Sequence, residues 1–257
     1  MKYIIIILVF FIVSCNKDSS NEKITSDINI EMREKIDSTS RTFQFICKTQ
    51  EEYPCCNYQI GNSFIKNSDR VEINFDGIIK PEVCLTAIGP ATTTLDFGAI
   101  SNGTYDLEIN TEGKKSTGQL IITSDYYKID LDKERKIQIN YSTLQKIPTN
   151  TIWGTVGYQT NTNATVVQTF LDSLQLLGAT NQTYPSGMYA YFQINSAGNI
   201  LPPENHGYDH IKPYIFHYTG ITSNLKTIVK EYGKNYGDSL NIVLYTTNGE
   251  TFRSWIP

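Results

Sequence analysis

Apolar and polar residues alternate one for one along several short runs in the first half of this chain, and period two is the mark of strands with one wet face. Val71, Ile73 and Phe75 alternate with Glu72 and Asn74, and Tyr105, Leu107 and Ile109 with Asp106, Glu108 and Asn110. Further runs lie at Thr42 to Cys47, Val83 to Ile88, Leu120 to Thr123, Tyr126 to Leu131 and Ile137 to Tyr141. Turn signals such as Asn102-Gly103 and Glu112-Gly113-Lys114 separate them. This density of short strands over residues 28–146 predicts an all-β immunoglobulin-like sandwich, with a small closed barrel as the alternative.

The pattern changes around Lys146-Ile147-Pro148-Thr149-Asn150, where proline among polar residues marks a domain boundary. Over residues 150–257 two stretches have helical spacing. Val167, Phe170, Leu171 and Leu174 make one stripe, ended by Gly178; Leu225, Ile228, Val229, Tyr232 and Tyr236 make another behind Thr222-Ser223. Strands are expected at Ile152 to Gln159, Met188 to Asn195, Tyr214 to Thr219 and Leu240 to Thr246, with Asn248-Gly249 turning into a last strand that ends at Trp255. The order βαββαβ plus a final strand predicts an α+β, ferredoxin-like domain with both helices on one sheet face. That order resembles the acylphosphatases, which hold phosphate with an arginine-bearing loop. The loop Thr160-Asn161-Thr162-Asn163 has no arginine, so the activity does not carry over.

A net charge of -4 gives no electrostatic reason to expect nucleic acid as a partner. Five cysteines are present, and Cys47, Cys55, Cys56 and Cys84 lie close enough in sequence to form a disulfide framework in an exported protein. Two bridges are expected. A direct bond between the adjacent Cys55 and Cys56 would need strained geometry.

The N-terminus, MKYIIIILVFFIVSC, has a lysine, an apolar run too short to span a bilayer and a small residue before Cys15. It resembles the lipobox of bacterial lipoproteins. The resemblance implies a signal peptide over residues 1–15, lipidation of Cys15 and attachment of the mature chain to a membrane. Residues 16–27 are polar and read as a tether. Asn16-Lys17-Asp18 resembles the signal by which Bacteroidota send lipoproteins to the outer membrane. Asp37-Ser38-Thr39, Asp172-Ser173-Leu174 and Asp238-Ser239-Leu240 look like O-glycosylation acceptors of that phylum. The implied location is the cell envelope, lipid-anchored and at the outer membrane. No functional family is recognised in the remainder.

Local motifs for catalysis are missing: there is no phosphate-cradling glycine loop, no Gly-x-Ser-x-Gly elbow and no His-Glu-x-x-His helix. All three histidines fall within twelve residues, and His206, His210 and His217 with Glu204 and Asp209 are the ligand types a divalent metal would take. The other chemical signal is aromatic. Tyr189, Tyr191, Tyr208, Tyr214 and Tyr218, with Trp153 and Trp255, could form a surface for sugars or protein partners. The leading expectation is a non-enzymatic, lipid-anchored binding module with no cofactor and an envelope protein or glycan as partner. The alternatives are a metal-assisted hydrolase built around residues 204–217 and a carbohydrate-binding accessory lipoprotein.

Overall fold

The computed structural model describes residues 21–160, 163–204 and 207–255, apart from the side chain of Asp238. Cys15 and His206 lie outside the described residues. The first half of the chain is β1 (Ile28–Ile36), β2 (Arg41–Tyr53), β3 (Gln59–Lys66), β4 (Arg70–Ile79), β5 (Gly89–Asp96), β6 (Gly103–Thr111), β7 (Lys114–Ile122), β8 (Tyr126–Lys133), β9 (Ile137–Ile139) and β10 (Thr143–Gln145). The second half is β11 (Thr151–Tyr158), α1 (Ala164–Leu176), β12 (Gly187–Tyr189), β13 (Gln193–Ile194), β14 (His210–His217), α2 (Thr222–Tyr236), β15 (Leu240–Thr246) and β16 (Thr251–Arg253).

Twelve strands form one hydrogen-bonded sheet in the order β13-β12-β10-β8-β7-β6-β4-β3-β5-β2-β1-β9. It curls until its flanks meet. Segment 137–145 pairs in parallel with β1 through Ile137 to Ile139, and six residues later pairs antiparallel with β8 through Thr143 to Gln145. The bonds Asn140 N–H to Ile30 O (3.1 Å) and Ile129 N–H to Ser142 O (2.8 Å) complete the junction. Two separately packed sheets, as an immunoglobulin-like sandwich requires, are therefore not what these strands make. The reason is non-local. The short runs of segment 137–145 join the two flanks of one curled sheet, so the first half has no second sheet to pack on.

Inside the curl, alternating residues of each strand supply the core. Phe43, Phe45, Phe97 and Tyr127 cluster there with ring centroids 4.4 to 5.7 Å apart. The tight β6–β7 hairpin follows from Glu112 and Gly113, whose φ values of 52° and 72° suit the mirror-image turn that matches strand twist. Glu34 is buried near this core. It accepts hydrogen bonds from Ile147 N–H (3.3 Å) and the Tyr127 hydroxyl (3.4 Å), with the Arg41 guanidinium 3.6 Å away. Burial raises its carboxyl above the usual range, against the opposing pull of Arg41.

Three expectations for this half are corrected. Residues 21–27 of the expected tether lie against the sheet: Glu22 exchanges backbone bonds with Ile78 (2.9 and 2.7 Å), and Ile24 is buried. Val83 to Ile88 is an exposed loop, with Val83, Leu85 and Ile88 all more than half exposed. Of the two expected bridges one forms, Cys55–Cys84. Cys47 points from β2 into the core, where burial pushes its thiol up, and Cys56 faces solvent, so these two cannot meet.

The second sheet runs β14-β11-β15-β16, antiparallel throughout. Both helices form where the spacing predicts. Val167, Phe170, Leu171 and Leu174 of α1 and Leu225 and Val229 of α2 are buried against the sheet, each such side chain contributing about 1.5–3 kcal/mol. The unit β14–α2–β15, with β11 between its strands, is a split βαβ. The other half of the ferredoxin-like order is missing. Met188 to Asn195, expected as a strand here, instead forms β12 and β13, and β12 pairs in parallel with β10 at Leu144↔Met188 and Gln145↔Tyr189. The two halves thus share a sheet across the expected boundary.

Candidate functional site

The small sheet has two unlike faces, set by strand alternation. Ile152, Gly154 and Val156 of β11 face the helices, together with Tyr214, Phe216, Ile242 and Leu244. Gly154 is required there: the Tyr214 hydroxyl donates to Val243 O (2.9 Å) across the place a β-carbon would occupy, 1.9 Å from Val243 O. Trp153 and Thr155 point the other way, in register with Ile215 and Pro213 on one side and with Tyr245 and Val243 on the other. Both helices lie on the opposite face.

A cleft of about 550 Å³ lies over this second face, a size typical of small-molecule sites. Its floor is Trp153, Thr155, Pro213, Val243 and Tyr245. One wall is the β12–β13 hairpin and the chain that follows it to Glu204; Glu31 of β1 and Tyr141 complete the rim from the large sheet. Trp153 is the hub of the rings. Tyr245 stacks on it at 5.7 Å and 17°, while Tyr191 (5.4 Å, 45°) and Phe192 (5.8 Å, 56°) meet it at a tilt. Trp153 is 3% exposed, and its buried Nε1–H has no acceptor among the described residues.

Hydrogen bonds hold the hairpin in place. The Tyr189 hydroxyl donates to Pro185 O (2.9 Å), and Ile36 N–H donates to the Tyr191 hydroxyl (3.1 Å), which ties the end of β1 to the cleft wall. Burial, with Tyr184 nearby, pushes the Tyr189 phenol up to about 12.

The five tyrosines read as surface candidates divide. Tyr189 and Tyr191 line the cleft. Tyr208 covers Gly157, Tyr214 is buried against Phe170, and the buried Tyr218 donates to Ile221 O (3.0 Å); these three are structural. The histidine group also divides. His210 and His217 are the first and last residues of β14, about 23 Å apart at the strand rise and on opposite faces. They cannot hold one ion together. His210 stacks on Tyr158 at 5.1 Å, and Asp209 N–H donates to Gln159 Oε1 (3.4 Å). Glu204 turns instead to the cleft. Among the described residues no three of His, Cys, Asp and Glu are grouped as a metal site needs.

Tyr245, Phe192, Tyr141 and Glu31 were not singled out in the sequence. The alternation of Asn241, Val243 and Tyr245 against Ile242 and Leu244 carries a local signal for Tyr245. Glu31 and Tyr141 come from the other half of the chain, and no local pattern joins them to the site. No family model, curated protein or solved structure matches this chain.

Proposed function

We propose that this protein is a non-enzymatic, lipid-anchored protein of the cell envelope that binds a small ligand in the aromatic cleft. The observation that carries the reading is the helix-free face of the small sheet, where Trp153, Tyr191, Phe192 and Tyr245 crowd the floor and one wall of a ligand-sized space. Aromatic rings with open edges beside a concavity gain more from a bound molecule than from water. The anchor follows from the lipobox-like ending at Cys15 and the outer membrane from Asn16-Lys17-Asp18. Among the described residues no helix is long and apolar enough to cross a membrane.

Two experiments test the two parts. Metabolic labelling with a fatty acid should mark the wild-type protein and leave Cys15→Ala unlabelled; equal labelling would sink the anchor. Ligand-observed NMR of detergent-solubilised full-length protein against a small-molecule library should give hits that vanish in Thr155→Arg, which puts a charged side chain on the cleft floor. Hits indifferent to that change, or no hits, would remove the cleft from consideration.

A further inference from the structure

If the cleft is the binding site, as proposed above, its wall chemistry selects the charge of the ligand. Glu31 and Glu204 bring two exposed carboxylates to the rim, and neither forms an ion pair among the described residues. No Lys, Arg or His is among the described residues that line the cleft. An anion entering would meet two like charges with no cation among the described lining residues; Arg253, paired with Val243 on the same sheet face, stands outside that lining. The rings act in the same direction, because the face of an aromatic ring is its negative side. Trp153 is covered, so the faces a ligand can reach belong to the partly exposed Tyr191, Phe192 and Tyr245. Tyr191 and Phe192 are tilted by 45° and 56° to Trp153 while Tyr245 lies at 17° to it, so these rings do not make the flat platform an extended glycan would stack on. Rings at mixed angles with nearby carboxylates are the means by which amines and quaternary ammonium groups are bound.

We propose that the cleft binds a small organic cation, an amine or quaternary ammonium. Three probes of nearly one shape test this: choline, its neutral isostere 3,3-dimethylbutan-1-ol, and the anion 3,3-dimethylbutanoate. Each is titrated calorimetrically into full-length protein in a neutral detergent. In a Trp255→Phe background, Trp153 is the sole remaining tryptophan, and its fluorescence follows the same titration. Choline is expected to bind about tenfold more tightly than the alcohol, with the carboxylate showing no binding. The double variant Glu31→Gln, Glu204→Gln, both exposed positions, should fold with an unchanged melting curve and lose most of the preference for choline.

Equal affinity for choline and the alcohol would overturn the cation and leave the cleft standing as an apolar site. Binding of neutral oligosaccharides in place of choline, unaffected by the glutamine pair and lost in Thr155→Arg, would overturn the cation in favour of a saccharide. Failure of all three probes alongside cleft-specific hits from the library would refute the cation alone. Failure of both would remove the cleft itself.

Discussion

The two faces of the four-stranded sheet are built from the same strands and have opposite characters. One is closed by two helices and mixes aliphatic side chains with Tyr214 and Phe216: Ile152, Val156, Leu240, Ile242 and Leu244 are all almost fully buried. The other is aromatic, roofed by a hairpin borrowed from the large sheet, and open over a cleft. Alternation along β11 and β15 sorts the residues between them, so one strand packs the helices with its even positions and lines the cleft with its odd ones.

The contrast breaks most severely at Gly154. Its replacement by alanine places a β-carbon against the backbone of β15 and displaces the Tyr214 hydroxyl. Chemical denaturation should show a loss of about 4 kcal/mol or more, while Thr155→Ala, one residue on and facing the cleft, should stay within about 1 kcal/mol. Similar losses at both positions would mean the faces are not mechanically distinct. Phe170→Ala, on the helix side, should cost about 3–5 kcal/mol, and Phe192→Ala, half-buried on the cleft side, clearly less in the same assay.

Removing the Cys55–Cys84 bridge with a double serine variant tests a part of the molecule remote from both faces. It releases a loop of sequence separation 29 and should cost about 3 kcal/mol. Thiol titration of a form beginning after Cys15 should find one accessible thiol when folded, from Cys56, and a second, from Cys47, only on unfolding. Trp153→Phe should cost no more than about 1–2 kcal/mol, because the lost Nε1–H satisfied nothing.

The smallest effect expected is a pH dependence from Glu34. Its folded-state affinity for protons is raised above the ordinary value of 4.5. Above that value the unfolded chain has released the proton that the folded chain still holds. Stability from this group is therefore full below pH 4.5 and declines as pH rises through the higher folded value. Glu34→Gln keeps a group able to accept from Ile147 N–H and cannot titrate, so its denaturation midpoint should decline less over that window. Parallel profiles for the two proteins would contradict the assignment.

Much of the local structure is legible in the residues. The stripe at Val167, Phe170, Leu171 and Leu174 forms the buried face of α1, and Glu112-Gly113 forms the hairpin turn. What is not legible is pairing at a distance. Met188 to Asn195 has the composition of a strand, but which sheet it joins depends on a free edge at β10, which local spacing does not reveal. The run Val83 to Ile88 reads as a strand for the same compositional reason, yet it forms an exposed loop held by Cys84 and by Asn57, which bonds to Val83 O (2.8 Å) and Leu85 N–H (3.1 Å). The candidate site suffered most, because Glu31 and Trp153 meet only after the two halves have joined.

The segment that joins the flanks of the large sheet, residues 137–145, is also among the last parts of that sheet to leave the ribosome. Until it emerges, β1 and β8 present unsatisfied backbone groups along their outer sides, templates for any other extended chain nearby. Synthesis of the chain thus has a vulnerable interval that shortens when this stretch bridges both edges and closes when the later β12 covers β10. A chaperone that shields exposed strands would be needed most before that moment and least after it.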